Sequence, residues 1–169
     1  HSLFSDTSNQ QQDDPSAFAL KIKQGKSVLS SSDFLVIARI ESLILGKGVS
    51  DAIERASMYI EAGADGIMIH SKVKDPSKIF EFCKLYSNFP VKVPLVVVPT
   101  SYNQITETEL KEAGVDIVIY ANHLLRSSYP AMQAVMEKIL INERSLECDD
   151  ACLPIKNIIN LIPTEPSVN

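Results

Sequence analysis

The chain is built from two kinds of apolar patterning. Short, nearly continuous apolar stretches recur at Phe34-Leu-Val-Ile-Ala-Arg-Ile40, Ala64-Asp-Gly-Ile-Met-Ile-His70, Leu95-Val-Val-Val98 and Val115-Asp-Ile-Val-Ile-Tyr-Ala121. Runs this short, rich in β-branched residues and bounded by Gly or Pro, predict strands buried on both faces. Between them lie longer segments with apolar residues spaced for one helix face. Asp14-Pro15 starts the first, with Asp14 as N-cap, Phe18, Leu20 and Ile22 as its apolar positions and Gly25 as its stop. Ser50 caps a second from Asp51 to about Ala62. Asp75-Pro76 opens a third through Phe80, Phe82 and Leu85. Thr106 caps a short fourth that ends at Gly114. A long helix follows through Met132, Val135 and Met136, and a final one runs from about Pro154 to Leu161.

The pattern repeats internally. Glu61-Ala-Gly-Ala-Asp-Gly-Ile-Met-Ile69 and Glu112-Ala-Gly-Val-Asp-Ile-Val-Ile-Tyr120 are near copies, each a helix end, a C-cap glycine and a strand. Strand then helix, four times over with short connections, predicts parallel βα units. Four units make half of a TIM-type (β/α)₈ barrel, whose usual size is about 250 residues. We therefore expect residues 15–142 to be about the second half of such a barrel. Residues 1–14, polar and rich in Gln, are expected to be a mobile loop, and 143–169 a linker and C-terminal helix. The alternative is a doubly wound sheet complete in itself. The first residue is His1 rather than Met, so the chain is expected to begin inside a longer polypeptide.

Bulk numbers narrow the chemistry. The 169 residues fit one domain, with 45% hydrophobic and 22% charged residues. A net charge of −5 argues against nucleic acid as a partner. No apolar run reaches the roughly 18 residues of a membrane span, and no signal segment opens the sequence. Cys148-x-x-x-Cys152 has a spacing that could suggest a metal, but no second Cys/His pair accompanies it, and the three cysteines, Cys83 included, cannot all pair. Free thiols point to a reducing compartment, the cytoplasm first, with an organellar matrix also compatible.

Candidate chemistry gathers where parallel strands end. Ligands sit at strand carboxyl ends in parallel α/β folds. Delivered there are Arg39 and Glu41, His70 and Ser71, Thr100 and Tyr102, and Asn122 with His123. An arginine at the end of an apolar strand needs an anion or a carboxylate, and Arg39 with His70 suits a phosphate, phosphonate or carboxylate ligand. Bland readings stand beside this one. Arg39 pairs with Glu41, His70 is a hydrogen-bonded core histidine, and Asn122 and His123 cap the following helix. Gly46-Lys47-Gly48 lacks the spacing of a phosphate-binding loop. Nothing forms a carboxylate cluster for Mg²⁺.

Four segments carry a resemblance. Phe34-Leu-Val-Ile-Ala-Arg-Ile-Glu-Ser-Leu-Ile-Leu-Gly-Lys-Gly48, Glu61-Ala-Gly-Ala-Asp-Gly-Ile-Met-Ile-His-Ser-Lys72, Pro94-Leu-Val-Val-Val-Pro-Thr-Ser-Tyr102 and Ile119-Tyr-Ala-Asn-His-Leu-Leu-Arg126 occur in order. They resemble the second half of the phosphoenolpyruvate phosphomutase family, within the isocitrate lyase/phosphoenolpyruvate mutase superfamily. The resemblance implies a (β/α)₈ barrel whose last helix is exchanged between subunits of a homodimer or dimer of dimers. It implies interconversion of phosphoenolpyruvate and phosphonopyruvate, the entry to phosphonate biosynthesis. Arg39 and His70 would then be catalytic, holding phosphoryl and carboxylate oxygens. Ser2 and Leu3 match the end of the family's gating loop, with Glu41, Thr100 and Asn122 as weaker site members. The cofactor implied is Mg²⁺, with ligands from the first half of the barrel and none in this chain. His1 stands where the loop motif has asparagine, and the preceding lysine is missing. Phosphonopyruvate hydrolases share all four segments, and a non-catalytic half barrel kept as a structural subunit is the reading from another class.

Overall fold

A computed structural model describes residues 10–161 and divides the chain into two units, residues 1–121 and 122–169. In the first unit the order is α1 (Pro15–Ser27), β1 (Ile37–Ile40), α2 (Gly48–Glu61), β2 (Gly66–Ile69), α3 (Ser77–Tyr86), β3 (Leu95–Val97), α4 (Glu107–Glu112) and β4 (Ile117–Val118). The strands form one sheet in the order β1-β2-β3-β4, every pair parallel. Strand, helix, strand with parallel pairing is the βα repetition that the apolar blocks predict.

Local chemistry accounts for most boundaries. Asp14 accepts from the backbone N–H groups of Ser16 and Ala17, both at 3.0 Å, with Pro15 at the first helical position. Thr106 and Glu109 form a reciprocal capping box on α4. The internal repeat is structural as well. Gly63 and Gly114 take φ of +99° and +90°, conformations that favour glycine. After each, the same three backbone bonds follow. Gly63 donates to the Ile60 carbonyl and Ala64 to Tyr59, as Gly114 does to Lys111 and Val115 to Leu110. This is the Schellman pattern at a helix C-terminus. Asp65 N–H then meets the Val36 carbonyl at 2.8 Å, and Asp116 N–H meets Leu95 at 3.0 Å. The aspartate side chains return the contact: Asp65 Oδ2 accepts from Val36 N at 2.7 Å and Asp116 Oδ2 from Leu95 N at 2.8 Å. Each copy therefore stops a helix and clamps the start of the neighbouring strand.

The strands are shorter than their apolar runs. β1 omits Phe34 and Leu35, which are 62% and 61% exposed, and β4 pairs over only two residues. Other ends also differ. Gly25 does not stop α1, which continues to Ser27, and α2 begins at Gly48 without a side-chain cap, so Ser50 lies inside the helix instead of capping one from Asp51. The central strand β3 is buried at every position and β2 at all but the half-buried Met68, as expected, whereas β1 and β4 each have an exposed position on one face. Side chains alternate across a strand. The rows Ala38–Ile67–Leu95 and Ile40–Ile69–Val97 belong to the core, with Ala52, Ala56 and Tyr59 of α2 and Ile79, Phe82 and Tyr86 of α3. The opposite rows run through Ile37 and Gly66, and through Arg39, Met68, Val96 and Ile117. None of these joins the core cluster, and Ile37 and Ile117 are 36% and 45% exposed. One face of the sheet is thus sealed by helices; on the other, Val96 and Gly66 in the middle are buried and the outer positions Ile37 and Ile117 are exposed.

The second unit holds α5 (His123–Asn142), a 3₁₀ helix over Leu146–Ala151 and α6 (Ile155–Ile159). The sequence reads the 3₁₀ stretch as linker. It packs on α5, with Lys138 Nζ donating to the Glu147 carbonyl at 3.1 Å and Cys148 buried. No residue of α5 or α6 is buried, although both are rich in Leu, Ile and Met. All three cysteines are free, and burial pushes the Cys83 thiol up to about 11. Among the described residues no helix is long and apolar enough to cross a membrane.

Candidate active site

Arg39 is the third residue of β1, level with Met68 on β2, and points to the open face of the sheet. Glu41 follows the end of β1, and His70 follows the end of β2. The register brings these three together at the carboxyl end of the sheet. The Arg39 Nε–H donates to Glu41 Oε1 in an ion pair. The carboxylate is well buried, its side chain 14% exposed, while the arginine's is 37% exposed. The pairing of Arg39 with Glu41 that the sequence left open is therefore made. It engages Nε alone, so the two terminal nitrogens of the guanidinium have no partner among the described residues.

Two further polar atoms at this place lack partners. Glu41 Oε2 and His70 Nδ1 are both buried without a hydrogen bond among the described residues. Buried polar atoms without partners are uncommon in native folds and call for an explanation. Burial, the charge of Arg39 and, opposing them, the charge of Glu41 leave the His70 pKa below its ordinary value near 6.5. At neutral pH the imidazole is uncharged, with one nitrogen donating and one accepting. His70 is thus not the hydrogen-bonded core histidine that was the alternative. A preset arginine fork beside a neutral histidine, at the end of a parallel sheet, is equipped to take oxygens of an anion.

The other candidates are not gathered in the same way. Thr100 lies in the turn after β3, where its N–H meets the Val98 carbonyl at 2.9 Å, and its side chain makes no bond to Arg39 or His70. Ser71 is buried and accepts from Val73 N at 3.2 Å, a local role. Asn122 sits at the N-cap position of α5 but does not cap it. Its φ of +56° is left-handed, its side chain makes no capping bond, and its Oδ1 is buried without a partner. Ser2 and Leu3 lie outside the described residues. Among the described residues no group of three His, Cys, Asp or Glu side chains comes together as a metal site. Glu41 offers one free carboxylate oxygen, which does not fit the several oxygen ligands Mg²⁺ requires.

The residues missed at the sequence level are Ser42, Asp51, Arg55 and Gln12, which form a polar cluster beside Glu41. Arg55 is 7% exposed and Ser42 fully buried. The signal was legible: Asp51, Arg55 and Tyr59 are spaced four apart, on one face of α2.

A parallel βα sheet with an arginine and a neutral histidine at its carboxyl end defines a class: α/β proteins that handle anionic ligands at strand ends. Comparisons with known proteins narrow it. The sequence model described as phosphoenolpyruvate phosphomutase matches residues 3–140. The chain belongs to that family, in the isocitrate lyase/PEP mutase superfamily, whose barrel members share its fold. It is 43% identical over 145 residues to a phosphonopyruvate hydrolase from Variovorax sp. (strain Pal2), covering 85% of this chain and 49% of that protein. It is 37% identical over 144 residues to a phosphoenolpyruvate phosphomutase from Tetrahymena pyriformis, covering 85% and 47%. A crystal structure of phosphonopyruvate hydrolase in complex with oxalate and Mg²⁺ superposes with a TM-score of 0.81 at 40% identity, covering 94% of this chain and 54% of that one. The chain thus spans about half the length of the curated relatives it matches.

Proposed function

We propose that this chain supplies the substrate-gripping part of a phosphoenolpyruvate phosphomutase, an isomerase interconverting phosphoenolpyruvate and phosphonopyruvate. The observation that carries the reading is the Arg39–Glu41–His70 arrangement. Glu41 occupies Nε of Arg39 and so aims its terminal N–H groups, and His70 stands beside them uncharged with a buried nitrogen unpartnered. Phosphoenolpyruvate carries carboxylate and phosphoryl oxygens, and charged hydrogen bonds to them contribute about 1.5–3 kcal/mol each. On this reading Arg39 neutralises charge on the group in transit, and His70 donates to an oxygen whose charge grows. Ser2 and Leu3 would close over the substrate, with Thr100 a weaker member of its surroundings.

The rest of the site lies outside this chain. Mg²⁺ would be held by residues of an N-terminal half barrel, in the same polypeptide or another. The exposed apolar positions Ile37 and Ile117, and the half-length match to relatives, support that partner. The uncovered Leu and Ile side chains of α5 and α6 support association through the C-terminal segment, as a homodimer or dimer of dimers. The 169 residues expressed alone are expected to show no turnover and no Mg²⁺ binding at this site, and turnover by them would end the half-site reading.

A second reading, phosphonopyruvate hydrolase, is favoured by the 43% identical relative. The deciding experiment gives phosphonopyruvate to the full-length protein and follows products. Phosphoenolpyruvate supports the mutase, and pyruvate with inorganic phosphate supports the hydrolase. Arg39→Ala in that protein is expected to cost about 10²-fold or more in turnover. Unchanged kinetics would favour the non-catalytic structural subunit instead.

A further inference from the structure

Arg55 is the most deeply buried cation of the described chain, and the proposed chemistry does not use it. It lies on α2, one helix face away from the loop that carries Glu41 and Ser42. Its Nε–H donates to Asp51 Oδ2 at 3.0 Å, and one terminal nitrogen reaches both the Tyr59 hydroxyl and the Asp13 carbonyl at 3.0 Å. Burial opposes its charge, but the bonds to Tyr59 and Asp51 outweigh that and hold its pKa above the ordinary arginine value. Asp51 in turn accepts from the Ser42 hydroxyl at 2.6 Å. Gln12 closes the cluster. With its amide oxygen facing the donors, it accepts from Arg55 Nε and Ser42 N, both at 3.2 Å. Ser42 is therefore pinned through its hydroxyl and its backbone N–H, and Glu41 is the residue immediately before it. A cavity of about 130 Å³ is lined by residues of both groups, Arg39 and Glu41 together with Gln12, Asp13 and Arg55.

We propose that Arg55 is a positioning residue: through Asp51 and Ser42 it fixes the backbone at Glu41, and so sets the direction in which Glu41 holds the Arg39 guanidinium. An arginine suits this because its planar fork makes several bonds at fixed angles, which a lysine ammonium cannot reproduce. A cation this well buried is costly to keep unless its geometry is used. The proposal rests on the reading of Arg39, Glu41 and His70 as the groups that face substrate.

The test is made in the full-length protein with Arg55→Lys, which keeps the charge and loses the fork. Two readouts are taken. The first is the titration of His70 by NMR, assigned with His70→Gln, because Glu41 is the carboxylate that raises His70 and Arg39 the cation that lowers it. Arg55→Lys is expected to move the His70 titration downward, in the direction that Glu41→Gln moves it. The second is kcat/KM with phosphonopyruvate, expected to fall about tenfold to a hundredfold, the usual cost of a slight misplacement. In Arg55→Lys/Glu41→Gln the loss should not exceed that of Glu41→Gln alone. An unmoved His70 titration, or strictly additive losses, overturns the proposal and leaves Arg55 a structural residue. Should Arg55→Lys fail to fold, Ser42→Ala breaks the same chain of contacts without stranding a buried charge, and carries the same expectations. If the wild-type protein turns over neither phosphonopyruvate nor phosphoenolpyruvate, the functional reading falls, and the His70 titration still decides the role of Arg55.

Discussion

The duplicated clamp offers an internal control, because two aspartates do the same job in different surroundings. Asp65 and Asp116 each accept a backbone N–H from the start of the next strand over, at 2.7 and 2.8 Å. Asp65 does more. It takes both a second and a third bond from Lys26 Nζ, at 2.8 and 2.7 Å, and both side chains of that pair are only 26% exposed. Asp116 has no cationic partner among the described residues and is itself exposed. Truncating Asp65 to Ala leaves the Val36 N–H unpaired, at about 1–3 kcal/mol. It also loses the Lys26 pair, worth about 0.5–1 kcal/mol at this exposure. The expected cost is about 2–4 kcal/mol. For Asp116→Ala no ion pair is lost, but the N–H left unpaired belongs to Leu95, which is fully buried, so about 1–3 kcal/mol is expected. Urea unfolding followed by circular dichroism, with both variants in the same background, measures the two midpoints. The pH dependence adds a check of sign. The bonds from Lys26 and from Val36 N–H hold the Asp65 carboxyl below its ordinary value near 3.8. Its stabilisation is therefore complete above pH 4 and fades as pH falls through the lowered value, and the gap between wild type and Asp65→Ala should narrow over that range. A cost well below 1 kcal/mol for either variant, or a gap between wild type and Asp65→Ala that stays constant into acid, would refute this account of the repeat.

Other expectations follow from the same geometry. Phe82 is fully buried against the sheet, so Phe82→Ala should cost about 3–5 kcal/mol, read as a large fall in unfolding midpoint. Thr106→Ala removes the cap of α4 and should cost about 1 kcal/mol, with Thr106→Ser recovering most of it. His70 is held neutral in the fold, so acidification from pH 7 through its ordinary pKa near 6.5 should destabilise the protein, and His70→Gln should flatten that slope in a stability–pH series.

The order of elements was legible because each boundary is written locally. Pro15 after Asp14, the capping pair Thr106 and Glu109, and the glycines at 63 and 114 each act within a turn of their own position. Strand length was not legible. A strand ends where its neighbour stops pairing, so Phe34 and Leu35 read as strand in the sequence yet stand exposed before β1. The same reason hid the exposed positions of β1 and β4, since an apolar run looks alike whether one side or both are covered. The placement of Arg39 and His70 at neighbouring strand ends was legible from the charges that close their apolar runs. The cluster around Arg55 was missed because arginine with aspartate four residues earlier looks like an ordinary surface pair on a helix. Only the fold shows that Ser42 and the Asp13 carbonyl meet it from elsewhere in the chain.

The partly uncovered side of the sheet has a consequence for how such a chain fares during synthesis. β1 and β4 are the outer strands of the described sheet, each with a neighbour on one side only, and Ile37 and Ile117 stand exposed on one face of it. Edges of this kind template pairing with other strands, and exposed apolar surface draws chaperones and aggregation. A chain left with that face exposed would be expected to engage quality control. On the proposed half-barrel reading, the yield of folded protein would depend on how well a complementary half covers that face, and a substitution that slows covering would lower abundance without touching Arg39 or His70.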